Sequence, residues 1–317
     1  MQEIIKPIER ALLKQELTPD KRLRRTNKSG NEIYIITAQN SPNVMKEIGR
    51  LREIAFRHYG GGTGLSADID EFDTMEDEYR QLIVWSPEDE QILGGYRFLC
   101  GADAKFDSNG KPKLATSHLF NFSDRFLKDY LPYTVELGRS FVTLDYQITL
   151  GRSKGLFILD NLWDGLGALT VIDPSLKYFY GKVTMYSNYN VDARDMILYF
   201  LNTHFPDMEE LLKPIHPLET EMDPTKMKSL FHFDNFKDNY KILNHEVRKY
   251  GINVPPLISA YMSLSPKMRV FGTAINHEFG KVEETGILIA IDEILEEKKK
   301  RHIETFLKET EEKDEKL

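Results

Sequence analysis

A chain of 317 residues, 41% hydrophobic and 29% charged, can bury one or two substantial cores without a disulfide, metal or oligomer to hold it. Its formal net charge of -8 argues against a general nucleic-acid binder, which needs a basic surplus to displace phosphate counterions. The single cysteine, Cys100, excludes an intrachain disulfide and a Cys-rich metal site, and fits a reducing, cytoplasmic compartment.

The first residues, Met1-Gln2-Glu3-Ile4-Ile5-Lys6-Pro7, lack the apolar h-region of a signal peptide, and no stretch approaches the roughly 18 apolar residues of a membrane span. Neither secretion by that route nor integration into a membrane is expected. Ile4, Ile5, Ile8, Leu12 and Leu13 recur at helical spacing and predict an amphipathic helix over residues 3–17, stopped by Thr18-Pro19-Asp20. A basic run follows, Lys21, Arg22, Arg24, Arg25 and Lys28, then the turn signal Asn27 to Asn31 and a strand from Ile33 to Ile36. Ser41-Pro42 opens a long helix with Val44, Ile48, Leu51, Ile54 and Ala55 on its buried side, ended by the glycine run Gly60 to Gly64. After an acidic loop over residues 68–78 come two β-rich runs, 81–85 and 92–99, joined as a hairpin by Ser86-Pro87-Glu88-Asp89-Glu90. Tyr133 to Val142 is a third strand, Leu156 to Val171 a helix ended by Asp173-Pro174, Tyr178 to Met185 a strand, and residues 192–204 a helix. The last third offers a helix near 236–250, apolar strand-like runs at 269–271 and 286–291, and a charged helical tail from about residue 292. Hairpins followed by a strand-helix-strand crossover predict an α/β (α+β) fold, a mixed twisted sheet with helices on both faces.

Five segments taken in order carry a resemblance: Leu51-Arg52-Glu53-Ile54-Ala55-Phe56-Arg57, Asp70-Glu71-Phe72-Asp73, Gly94-Gly95-Tyr96-Arg97-Phe98, Glu136-Leu137-Gly138-Arg139-Ser140 and Leu162-Trp163-Asp164-Gly165-Leu166. With the late Pro255 to Tyr261, they make residues 33–292 resemble the acyl-carrier-protein-dependent N-acyltransferases that produce the lyso precursors of ornithine and glycine aminolipids. That family is similar to acyl-homoserine-lactone synthases and shares the GNAT fold. The chain is expected to divide into an N-terminal helix and basic segment over 1–32, the GNAT-like core that the resemblance implies over 33–206, a C-terminal extension packing on the core over 207–292, and a charged tail over 293–317; the insert around 207–235 and both termini look less typical of the family. Members are often labelled haemolysins, but no spanning helix and no long series of two-faced strands supports a pore here.

Aminolysis of a thioester needs a neutral amine, a cradle for the oxyanion and a route for the thiolate to leave. Glu136 is the candidate general base, being a carboxylate in an otherwise apolar strand, where burying it costs energy. The alternative is an edge-strand glutamate paired with Arg139 for structure. On a regular strand Arg139, three residues on, faces the other side from Glu136 unless a bulge intervenes. Arg97 lies in mid-strand and requires a carboxylate, phosphate or wet cleft as partner. The carboxylate of an amino-acid substrate and a structural pair with Asp70, Asp73 or Glu136 serve equally. The resemblance carries Arg52, Phe56, Asp70, Asp73 and Ser140 into the substrate pocket, while Asp68, Glu76, Asp77 and Glu78 read as a solvated loop. Residues 68–73 begin like a calcium loop but lack its sixth-position glycine.

For the acyl donor, Trp163, Gly165 and Gly167 resemble the GNAT turn that holds a phosphate on backbone N–H groups at a helix start, and a helix with two glycines for close packing fits the same residues equally. Leu162 replaces the usual Gln or Arg, which favours a phosphopantetheine arm over the pyrophosphate of coenzyme A. Acyl carrier protein is acidic, and Arg22, Arg24 and Arg25 form the candidate docking run, with a solvated linker face as the alternative; anionic lipid at the inner membrane face is a second use for such a run. The eight histidines lack zinc spacing, and Gly60 to Gly64 lacks the Gly-Lys-Ser/Thr ending of a phosphate loop. No Gly-x-Ser-x-Gly elbow marks a serine nucleophile. The expected activity is transfer of a long-chain, 3-hydroxylated acyl group from acyl carrier protein, or else coenzyme A, to the amine of glycine or ornithine, with no resident cofactor or metal. A coenzyme A-dependent enzyme for another small amine, an acylated-signal synthase and a non-catalytic acyl-binding protein are the alternatives.

Overall fold

The computed structural model describes residues 1–75, 79–148 and 152–314. The first elements in chain order are α1 (Arg10–Glu16), β1 (Arg22–Arg25), β2 (Glu32–Ile36), α2 (Pro42–His58), α3 (Glu71–Thr74), β3 (Arg80–Ser86) and β4 (Gln91–Cys100). β5 (Phe120–Phe122), β6 (Thr134–Val142), α4 (Leu144–Ile148), α5 (Arg152–Ile172), β7 (Tyr178–Met185), α6 (Val191–His204) and β8 (Leu212–Pro214) follow. The chain closes with α7 (Pro224–Leu230), α8 (Phe236–Arg248), α9 (Pro256–Leu264), β9 (Arg269–Asn276), β10 (Val282–Ala290), α10 (Glu296–Lys299) and α11 (Thr305–Asp314). Among the described residues no helix is long and apolar enough to cross a membrane.

These elements form two compact units, one of Met1–Lys105, Tyr133–Lys177 and Leu295–Leu317, the other of Phe106–Pro132 and Tyr178–Ile294. The division departs from the expected segments 1–32, 33–206, 207–292 and 293–317. Residues 178–206 group with the late chain because β7 pairs with β10, about a hundred positions on, a long-range pairing that local periodicity does not register.

In the first unit β1, β2, β3, β4 and β6 make an antiparallel sheet in that order. Strand alternation separates its faces. Leu82 of β3 and Gly94 of β4 lie under α5: a Cβ added at Gly165 would come within 2.8 Å of Leu82, and one at Gly94 within 3.0 Å of Ile158. The other face carries Gln81, Arg97 and Gly138, in register across three strands, and there Arg52 of α2 reaches Gln81 at 3.3 Å. The helices expected on both faces of the sheet are therefore α2 and α5.

The N-terminal helix is shorter than the predicted 3–17. Pro7 supplies no backbone N–H and disfavours helix in the residue before it. Residues 1–8 instead bond to the neighbouring loop and to α2, Gln2 N–H to Gly64 O at 2.8 Å, Ile5 N–H to Ser66 O at 3.0 Å and Ile8 N–H to Glu47 at 3.1 Å. The charged tail is anchored rather than solvated. His302 Nδ1 lies 2.7 Å from Asp164 of α5, and Arg301 bonds Asp160.

In the second unit β7, β10 and β9 pair antiparallel, and β5 pairs with β8. Phe126 stacks between Phe122 and Tyr130 and meets Tyr180 edge-on. Phe200 of α6 packs on Phe231, Phe236 and Tyr240. Helix starts here are capped as their sequences dictate: Asn190 Oδ1 accepts Ala193 N–H at 3.0 Å and Asn235 Oδ1 accepts Asp238 N–H at 2.9 Å.

Candidate active site

The register between β4 and β6 contains an extra residue. Gly95 pairs with Phe141 and Arg97 with Gly138, so Arg139 and Ser140 together oppose Tyr96 alone. That arrangement is a β-bulge, which re-aims side chains where it occurs. Arg139 has φ 48°, a left-handed conformation costing a non-glycine residue about 1–3 kcal/mol. The bulge brings its guanidinium to Asp68 at 2.9 Å and Asp70 at 3.2 Å. Arg97 from β4 meets Asp70 at 2.5 Å and Asp73 at 3.2 Å. The two arginines thus converge on one short acidic segment despite their separation in sequence.

Arg52, one turn before the end of the buried face of α2, completes the cluster. It is fully buried, with Nη2 bonded to Asp73 Oδ2 at 2.8 Å and to Asp68 O at 2.8 Å, and Nε to Asp68 Oδ2 at 3.2 Å. Gln81 donates to Asp73 at 2.9 Å. Asp70 and Asp73 also form a capping box around α3: Asp70 Oδ1 accepts Phe72 N–H at 3.0 Å, and Asp73 Oδ2 accepts Asp70 N–H at 3.1 Å. Three arginines therefore meet three aspartates, two of which, Asp68 and Asp73, are buried. Asp70 and Arg139, with side chains 28% and 13% exposed, are where the cluster meets solvent.

Burial pushes the Asp73 carboxyl up, but Arg52 and Arg97 outweigh it and hold that group well below the usual carboxylate range. Asp68 is lowered the same way, burial being overcome by Arg139, Arg52 and Arg97. A carboxylate with a depressed folded pKa contributes stability that is complete above its unfolded value, about 3.9, and is lost as pH falls through the folded one. Asp73→Asn is therefore expected to lower the urea midpoint at neutral pH, with the gap from wild type closing as pH falls below about 4. Urea melts of both proteins between neutral and acid pH check this, and a gap independent of pH would contradict it.

Glu136 is 1% exposed and pairs across the ladder with Leu99. Its surroundings are not the plain apolar strand of the sequence reading, because the Tyr79 hydroxyl donates to Glu136 Oε2. Tyr79 also lies under Arg97, whose guanidinium carbon is 5.3 Å from the Tyr79 ring centroid and 5.5 Å from that of Phe72. Arg97 is 2% exposed, and its Nε has no hydrogen-bond partner among the described residues. A buried donor left unpaired costs about 1–3 kcal/mol. Carboxylate, phenol and guanidinium groups thus stand together on one face of the sheet.

Of the other residues singled out from sequence, Phe56 is buried on α2 one turn beyond Arg52, and Ser140 is half-buried in the bulge. Asp68, expected in a solvated loop, is fully buried and bonds both Arg52 and Arg139; Glu76, Asp77 and Glu78 lie outside the described residues. No group of His, Cys, Asp and Glu able to hold a metal occurs among the described residues. Tyr79 and Gln81 were missed, since Gln81 reads as an ordinary strand residue and Tyr79 falls between the acidic loop and the strand run. Their signal was the alternation that places them on the Arg97 face.

The donor-site expectations are corrected in two places. Trp163, Gly165 and Gly167 lie inside α5 and not at its start, so their N–H groups are committed to the helical ladder and cannot cradle a phosphate. Their glycines serve close packing: a Cβ at Gly167 would sit 2.2 Å from His302 O. Arg24 is buried, bonded to Glu309 at 2.7 Å and Asn27 at 2.9 Å, and stacked on Phe306. It anchors the C-terminal helix and is unavailable for docking. Arg22 and Arg25 both pair with Glu32, and their side chains are 39% and 73% exposed. The glycine run binds an anion after all, but an internal one: Thr63 and Gly64 N–H donate to the Glu53 carboxylate at 3.0 Å and 2.8 Å.

Comparison with known proteins matches residues 51–152 to the acetyltransferase (GNAT) domain. Two curated glycine N(alpha)-acyltransferases are each 68% identical to this chain. The one from Phocaeicola vulgatus aligns over 98% of this chain and 95% of its own length. The one from Bacteroides thetaiotaomicron aligns over 97% and 91%. Among solved structures, an N-acyl amino acid synthase from uncultured soil microbes covers 83% of this chain and 92% of its own, at 10% identity and TM-score 0.38.

Proposed function

We propose, since this chain belongs to the glycine N(alpha)-acyltransferase family and is an acyltransferase with a GNAT domain that transfers acyl groups to an amino acid, that its acceptor is glycine and its donor a long-chain, 3-hydroxylated acyl thioester on acyl carrier protein. The observation that carries this reading is the meeting of Arg97 and Arg139 at Asp70, with Arg97 stacked on the Tyr79 ring whose hydroxyl bonds Glu136.

Glu136 takes a proton from the glycine ammonium, leaving a neutral amine. The nitrogen lone pair attacks the thioester carbonyl carbon, so that a C–N bond forms while the carbonyl π electrons move onto oxygen. As the tetrahedral intermediate collapses, the C–S bond breaks and sulfur leaves with a proton from nitrogen, giving an amide and a free thiol. Tyr79 holds the Glu136 carboxylate through its hydroxyl. Arg97 and Arg139, with Asp70 as the movable counter-ion, hold the substrate carboxylate. Asp68, Asp73 and Arg52 fix these groups in place.

Docking of an acidic carrier protein falls to Arg22 and Arg25, the exposed arginines of the basic run. Extraction of lipids from cells that express the chain, followed by mass spectrometry, tests the reading. N-acyl glycine carrying a 3-hydroxy chain is the expected new species. Absence of any N-acyl amino acid across glycine, ornithine, serine and lysine would sink it.

A further inference from the structure

Gly138 is the one residue in the Gln81-Arg97-Gly138 row without a side chain. Glycine inside a strand weakens it through lost entropy and missing packing, and is kept where a bulge, a close neighbour or a ligand requires it. The bulge does not require it here, because the residue in left-handed conformation is Arg139, while the φ of Gly138 lies outside that region. No close neighbour requires it either. A Cβ built at Gly94, Gly95, Gly165 or Gly167 would collide at 2.6, 2.9, 2.8 and 2.2 Å, whereas at Gly138 it meets no heavy atom of the described residues within 4 Å. That leaves open space on the face of β6 that also carries Glu136, two residues before, and opposite the root of Arg97. Arg97 supplies a buried Nε without a hydrogen-bond partner among the described residues.

We infer that the space over Gly138 is the seat of the amino-acid acceptor, with the glycine carboxylate bonded to Arg97 Nε and the bare Gly138 backbone as its floor. Gly138 is then a specificity-determining binding residue: its missing side chain makes the volume that the acceptor occupies. The inference rests on glycine being the acceptor. It adds which atoms bind it and why this strand position carries no side chain.

Gly138→Ala is the test, because the backbone accepts alanine and the added methyl meets none of the described residues within 4 Å. The variant is expected to keep or raise the thermal midpoint of wild type. Its KM for glycine is expected to rise at least about tenfold, a loss of about 1.4 kcal/mol in binding, with the KM for the acyl thioester unchanged. An unaltered KM for glycine, an effect confined to the thioester KM, or a lowered thermal midpoint would each overturn the inference. Failure of the glycine reading itself is separate, since wild-type protein would then form no N-acyl glycine from the same reagents.

Discussion

Replacing Arg52 with methionine is expected to lower the unfolding free energy by about 3–5 kcal/mol, the cost of leaving a buried charge without its partner. Methionine matches the length of the arginine stem and keeps the packing of α2, so the loss isolates the guanidinium. Two buried carboxylates, Asp68 and Asp73, bond this group directly. The remaining arginines, Arg97 and Arg139, also face Asp70 and cannot neutralise all three aspartates alone. Burial works against the Arg52 charge, yet Asp73 and Asp68 outweigh it and hold the guanidinium protonated well above its ordinary range. Urea titration of Arg52→Met checks the value. A loss below about 1 kcal/mol, the range of exposed ion pairs, would show that the cluster does not hold α2 on the sheet.

The second large effect concerns chemistry and leaves the fold intact. Glu136→Gln keeps the shape of the side chain and a carbonyl oxygen that accepts the Tyr79 hydroxyl, but it removes the proton acceptor. Loss of a positioned general base lowers turnover by about 10²–10⁴-fold, so kcat is expected to fall by that factor while the KM for glycine and the urea midpoint stay close to wild type. Steady-state kinetics with saturating thioester read this directly. Unchanged kcat would remove Glu136 from the reaction and leave it as a structural partner of Tyr79.

Much of the fold was legible from local pattern. The runs that became β2, β3, β4 and β6 are rich in Ile, Val, Tyr and Phe, and Ser41-Pro42 marked the start of α2 to the residue. β5 and β8, three residues each, are too short for alternation to register. At the site, Glu136, Arg97, Arg52, Asp70 and Asp73 were named from sequence, and their meeting depends on features that a sequence does not display. Asp68 read as a solvated loop residue because its partners stand 16 positions before it and 71 after it. The bulge that turns Arg139 toward Asp68 and Asp70 exists only in the pairing register of two strands. Trp163-Asp164-Gly165-Leu166-Gly167 misled because glycines that open a phosphate turn and glycines that admit a neighbouring backbone leave the same trace. Only the position of those residues within α5, and the nearness of His302, separates the two.

The most direct measurement combines purified protein, glycine and a 3-hydroxyacyl thioester of acyl carrier protein, with the products resolved by mass spectrometry. The account predicts N-(3-hydroxyacyl)glycine and one free carrier thiol per amide formed, with product formation depending on Glu136. Hydrolysis of the thioester without amide, or an acylated amine other than glycine formed in preference to it, would contradict the account.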